Sequence, residues 1–177
     1  IDVLVNNFGT SNPQKDLDFA HTDITDYLDI ITLNLRSVFM ASQAAVNHME
    51  THGGGSIINI SSVGGLIPDI SQVAYGTSKA AINYLTKLIA VQEATHCIRC
   101  NAVLPGMIKT DRWEKNPEFY AKVPSKYTPI GDVADGADIA DAVYYFAAHA
   151  RNTTGAELVV DGGNTVQLYP IIPQQEE

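Results

Sequence analysis

The run Gly55-Ser-Ile-Ile-Asn-Ile-Ser-Ser62 constrains the fold more than any other stretch of this chain. Ile57, Ile58 and Ile60 leave neither face for water, which marks a strand buried on both sides in a parallel sheet. Further strands are expected at residues 1–5, 98–104 and 156–160. Helical patterns at 25–51, 75–90 and 136–149 alternate with them, with apolar residues recurring at three- and four-residue spacing. Strands alternating with helices predict an α/β fold, a doubly wound parallel sheet. In such sheets ligands sit at the carboxyl ends of the strands, and Ser62 ends the 56–61 strand there.

Thirteen residues after Ser62 comes Tyr75-Gly-Thr-Ser-Lys79. On a helix, positions i and i+4 share one face, so Tyr75 and Lys79 should lie side by side. A free phenol titrates near ~10 and is a poor base at neutral pH. A cation a few ångströms away favours the phenolate, which gives a base able to take a proton from an alcohol. A hydroxyl at Ser62 could hold the substrate oxygen beside that phenol. Ser61-Ser62 could equally just open a loop, since serine is a common turn residue.

Five motifs in order carry a resemblance. They are Asn6-Asn7-Phe8-Gly9 after the first strand, Asn34 within ITLNLRSVF, Ser62 with Tyr75 and Lys79, Asn101-Ala-Val-Leu-Pro-Gly106 with Thr110, and Val159-Val-Asp-Gly-Gly163. Together they resemble the short-chain dehydrogenase/reductase family over nearly the whole chain. The resemblance implies a Rossmann-like sheet and NAD or NADP as cofactor. It implies a catalytic set of Asn34, Ser62, Tyr75 and Lys79, with Asn34 anchoring a water in a proton relay. From the residues alone, Asn34 is equally a hydrogen-bonded core amide. Cofactor contacts are implied at Asn7, Phe8, Gly9, Tyr75, Lys79, Pro105, Gly106, Ile108 and Thr110. Substrate contacts are expected at Ser62, Gly64, Tyr75 and Trp113. Phe8 departs from the small residue usual in the family and would crowd the adenosine side or pack there.

The family's Gly-rich phosphate loop and first strands are missing from this sequence. Neither Gly53-Gly54-Gly55 nor Gly64-Gly65 has the strand–loop–helix setting that makes such a loop. Gly53–Gly55 reads as a helix exit. The expectation is one partial domain over 1–177, truncated at its N-terminus, with a substrate lid at 107–130 and a polar tail at 170–177. The lid carries Pro117, Pro124 and Pro129 with Trp113, Phe119, Tyr120 and Tyr127. The segment from Gly64 to Tyr75, with Ile98–Gly106, is similar to bacterial bile-acid hydroxysteroid dehydrogenases of the 7α type. The activity implied is interconversion of a secondary alcohol and a ketone on a hydroxysteroid. A 3-oxoacyl-carrier-protein reductase is the enzymatic alternative, and an inactive fragment or scaffold the non-enzymatic one. Asp132 stands where the family often has Arg, which disfavours an acidic carrier partner. The family also implies a homotetramer.

Composition excludes other classes. A net charge of −9 without a basic stripe argues against nucleic acid and anionic membranes as partners. No apolar run approaches the roughly 20 residues of a membrane span, and the expected location is cytoplasmic. Cys97-Ile-Arg-Cys100 is a lone CxxC, read as two reduced structural cysteines. The five histidines show no metal-ligand pattern beyond His48 and His52 at i, i+4, and no metal is expected.

Overall fold

The computed structural model of the protein describes residues 1–111, 115, 117, 118 and 128–168. Four strands form one sheet: β1 (Val3–Asn6), β2 (Gly55–Ile60), β3 (Ile98–Pro105) and β4 (Glu157–Val160). Their spatial order is their chain order, and every pair is parallel. Helices α1 (Ile24–Met49) and α2 (Val73–Gln92) connect the first three strands, and α3 (Gly136–Tyr144) precedes the last.

Side chains alternate across a strand, so neighbouring residues enter different cores. Ile57 packs with Ala45, Val46 and Met49 of α1 and Ala90 of α2. Ile58 packs with Val103, Ala142 of α3 and Phe146 on the opposite face. Helices cover both faces, as the doubly wound expectation required. The apolar residues Ile57, Ile58 and Ile60 of β2 are explained by these two cores.

Local chemistry sets the element ends. Asp23 caps α1 by accepting the Thr25 amide, and Asp26 lies in its first turn, where carboxylates oppose the helix dipole. After α1 the chain turns at Gly53 and Gly54, both in the left-handed region at φ +93° and +92°, the expected helix exit. Asp135 and Asp138 form a reciprocal capping box at the start of α3. The expected 136–149 helix is α3 followed by a π turn over Tyr145–His149.

Three expectations shift. β1 starts at Val3 and includes Asn6, because Asn6 pairs in register with Asn59 and donates to its side chain at 2.8 Å. β2 stops at Ile60 rather than at Ser62. Among the apolar residues of α1, Leu33 and Phe39 face outward, 47% and 49% exposed. The buried stripe is Ile30, Asn34, Val38, Ser42, Ala45, Val46 and Met49, so two of its seven positions are polar.

Candidate active site

Parallel strands place the ends of β1, β2 and β3 along one edge, and the candidate residues gather there. Asn7, Phe8 and Gly9 follow β1, Ser62 follows β2, and Pro105 and Gly106 end or follow β3. Helix α2 lies across this edge with Tyr75 in its first turn and Lys79 one turn later.

Lys79 is almost wholly buried. Its Nζ donates to the Ile60 carbonyl at 3.0 Å and sits 5.6 Å from the centre of the Tyr75 ring. The Ser61 hydroxyl donates to the Lys79 carbonyl at 3.1 Å. The lysine is thereby fixed at both ends to the β2 terminus. Burial pushes its ammonium down to about 8, because leaving water penalises the charged form. The predicted pairing of Tyr75 and Lys79 on one helical face is present.

Ser61 still donates its amide to Val103 of β3. Ser62 then adopts extended backbone and caps the short 3-10 turn Val63–Gly65, its Oγ accepting the Gly64 amide at 3.1 Å. Ser62 and Tyr75 both approach Gly64. A methyl group placed on Gly64 would stand 3.5 Å from Ser62 Oγ and 3.8 Å from Tyr75 Cε1. Gly65 makes this approach possible. A side chain there would press within 2.8 Å of the Lys79 carbonyl carbon and 2.9 Å of the Ala80 nitrogen. The Gly64-Gly65 pair therefore lets the strand exit lie flat on α2.

Asn34 is fully buried, and its amide is already engaged. Oδ1 accepts the Thr10 amide at 2.8 Å. Nδ2 donates to the Thr10 carbonyl and to Ser78 Oγ, each at 2.9 Å. Ser78 in turn donates to the Tyr75 carbonyl at 2.7 Å. Asn34 is thus a satisfied core amide, and it is linked to the Tyr75 carbonyl through Ser78. Ser78 and Thr10 carry this link, and nothing in their local sequence marks them for it. A second polar chain lies beneath: Asn6 donates to Ser42 and Asn59, and Asn59 donates to Thr86.

An open cleft of about 690 Å³ lies over this group. Ser62, Gly64 and Tyr75 line it, and Leu66, Ile67 and Ile70 give it an apolar wall. Of the other candidates, Thr110 is exposed and Ile108 bridges Ala134, beside the ion pair of Lys109 and Asp132 at 2.8 Å. Phe8 is 53% exposed. Trp113, most of the expected lid and the 170–177 tail lie outside the described residues.

A nicotinamide nucleotide needs hydrogen-bond donors at these strand ends. Gly9 approaches Lys79 so closely that a methyl group on it would stand 3.0 Å from Nζ. Lys79 Nζ gives one N–H to the Ile60 carbonyl and an ammonium has three, so donors remain for a ribose hydroxyl and the donor chemistry fits the group. Among the described residues, no helix is long and apolar enough to cross a membrane.

Comparison with known proteins agrees with this geometry. Residues 1–165 match the family described as enoyl-(acyl carrier protein) reductase. The 7alpha-hydroxysteroid dehydrogenase of Paraclostridium sordellii is 45% identical over 166 residues, covering 92% of this chain and 62% of that protein. An oxidoreductase of the short-chain dehydrogenase/reductase family from Burkholderia thailandensis superposes with a TM-score of 0.86 at 30% identity, covering 94% of this chain and 66% of that one. ElxO with NADP bound gives the same TM-score at 34% identity, covering 94% and 68%. The chain spans 62–65% of the length of its curated 7alpha-hydroxysteroid dehydrogenase relatives. It belongs to the short-chain dehydrogenase/reductase family.

Proposed function

We propose that the full-length protein is an NAD(P)-dependent oxidoreductase that interconverts a secondary alcohol and a ketone. The observation that carries this reading is that Ser62 and Tyr75 both approach Gly64 and line one open cleft, with Lys79 buried one turn away. Ser62 Oγ holds the substrate oxygen. The Tyr75 hydroxyl oxygen takes the proton of the substrate alcohol, or returns it to a ketone in the reverse direction. Lys79 presents a buried amine 5.6 Å from the centre of the Tyr75 ring. Asn34 supports a relay water. With its amide engaged by Thr10 and Ser78, it does so through the second lone pair of Oδ1 or its own carbonyl. Asn7, Phe8, Gly9, Pro105, Gly106, Ile108 and Thr110 would flank the cofactor, with Lys79 and Tyr75 on its ribose. The chemistry a nicotinamide ring supplies when bound is acceptance of a hydride from the carbinol carbon.

For substrate we propose a hydroxysteroid such as a bile acid. The names of the 7alpha-hydroxysteroid dehydrogenase relatives and the apolar wall of Leu66, Ile67 and Ile70 support it. Gly64 and Trp113 would complete the substrate contacts, within one partial domain whose lid is 107–130. An acyl-carrier-protein thioester is less favoured, because Asp132 neutralises Lys109 at the base of the lid. A homotetramer is supported by outward apolar residues on both long helices, among them Leu33, Phe39 and Met40 on α1 and Tyr84 and Val91 on α2. A cytoplasmic place is supported by the free cysteines Cys97 and Cys100.

Tyr75→Phe in the full-length protein should abolish turnover while nucleotide binding, followed by fluorescence titration, persists. Turnover near the wild-type rate would refute the reading. Faster turnover of an acetoacetyl thioester than of cholic acid would move the substrate to the acyl class.

A further inference from the structure

Asp16 lies in the polar loop after β1 and is fully buried. A carboxylate removed from water needs strong partners. Its partners lie across the fold, in the first turn of the catalytic helix. Oδ1 accepts the Ala74 amide at 2.8 Å and Oδ2 accepts the Tyr75 amide at 2.9 Å. These are amides a helix cannot satisfy within itself. The residue placed to cap them, Gln72, does not: its side chain makes no cap bond and its backbone is left-handed at φ +61°, ψ +47°. The main chain of the loop completes the attachment. The Asp16 carbonyl accepts the Gln72 amide at 3.2 Å, and the Leu17 carbonyl accepts the Val73 amide at 3.3 Å. Four consecutive amides, Gln72 to Tyr75, therefore end on residues 16 and 17.

We propose that Asp16 is a positioning residue for Tyr75, capping α2 from another part of the chain and so fixing where the phenol sits. The inference rests on the reading of Tyr75 as the proton-transfer group. Tyr75 is in the N-terminal part of α2, where Val73, Gly76, Thr77 and Ala80 also border the open cleft, whereas Ile82, Thr86 and Ala90 further along are buried in the core. Lys79 is held separately by Ile60 and Ser61. Loss of the cap would let the first turn fray and carry Tyr75 away from Lys79 and Ser62, which stay in place. The same loop is tied at its other end to Asn34 through Thr10. Residues 10–17 thereby set the spacing between α1 and the start of α2.

The test compares Asp16→Asn and Asp16→Ala in the full-length protein, at a temperature where circular dichroism shows each variant folded. Asparagine keeps one acceptor but turns an N–H toward the second amide; alanine removes both acceptors. A displacement of about 1 Å costs on the order of a hundredfold in rate. The expected result is a kcat lowered about tenfold in Asp16→Asn and about a hundredfold in Asp16→Ala, with KM for the nicotinamide nucleotide unchanged within about twofold. Hydrogen exchange should quicken at the Ala74 and Tyr75 amides and stay slow from Ile82 to Ala90. Unchanged kcat in the folded variants would overturn the proposal. So would a loss of kcat accompanied by faster exchange along the whole of α2, which is general destabilisation. If Tyr75→Phe retains turnover, the proton-transfer reading falls instead, and exchange at Ala74 and Tyr75 alone decides whether Asp16 holds the turn.

Discussion

The two faces of the sheet differ in how completely they are covered. On the α1/α2 face, each helix buries seven residues, and the buried set includes Asn34, Ser42, Ser78, Lys79, Asn83 and Thr86. On the α3 face, the helix itself buries only Ala142 among the described residues, and Phe146 of the following turn supplies the large side chain. Strand β1 shows the contrast within four residues. Leu4 packs into the α1/α2 core and Asn6 donates to Ser42. Val3 and Val5, facing the other way, are each 41% exposed. A cleft of about 580 Å³ runs there between Val5, Ile60 and the Ile139 and Val143 side chains of α3. The lesson concerns rigidity. Proton transfer needs groups held to fractions of an ångström, and its candidates sit on the face where Asn34, Ser42, Ser78, Lys79 and Thr86 are buried and hydrogen-bonded between packed helices.

That contrast can be broken by mutation. The largest difference should come from matched truncations. Met49→Ala removes a fully buried side chain on the α1/α2 face and should cost about 2–5 kcal/mol. Ile139→Ala, half-buried beside the open cleft, should cost about 1 kcal/mol or less. Equal losses in urea unfolding would show that the faces are equally packed.

A smaller effect is expected from Lys79 and alkali. Burial lowers its ammonium from 10.5 to about 8. Between those values the unfolded chain binds a proton that the folded chain does not, so stability rises with pH across that window. At about 1.4 kcal/mol per pH unit the whole rise is roughly 3 kcal/mol. Lys79→Met lacks this rise. Stability profiles of wild type and variant that run parallel from pH 8 to 10.5 would show that Lys79 is not desolvated.

The smallest change in stability, within about 0.5 kcal/mol, is expected for Val3→Lys in a polypeptide of residues 1–177 alone, where β1 is the first strand of the sheet. Its effect should appear in solubility instead. A charge on an exposed apolar edge strand discourages pairing between chains, and light scattering should fall. Unaltered scattering would mean that this edge is not the adhesive part of the surface.

Some of the site is legible without coordinates because its geometry is local. Tyr75 and Lys79 must share a face once residues 75–90 are helical, since four residues are about one turn. Ser62 must lie at a ligand-binding edge once β2 is a parallel strand. Asn34 is different. Its place on the apolar stripe is periodic, but its attachments to Thr10 and Ser78 follow from packing between α1 and α2. Leu33 and Phe39 show the limit of apolar pattern, which cannot say that they face outward. Asp16 was the least visible. In Gln14-Lys-Asp-Leu-Asp18 it looks like any loop carboxylate, and its partners lie 58 and 59 residues away.

The sequence by itself determined the alternation of strands and helices, the direction of the strands, and the pairing of a phenol with an amine one turn apart. Each follows from short-range periodicity, which backbone geometry converts into shape wherever it occurs. Tertiary structure alone decided that Gly65 lies flat on α2 so that Ser62 and Tyr75 both approach Gly64, and that a buried aspartate from a distant loop caps the start of α2. Those contacts join segments far apart in the chain. No local preference encodes them, and they exist only once both faces of the helix pair have packed.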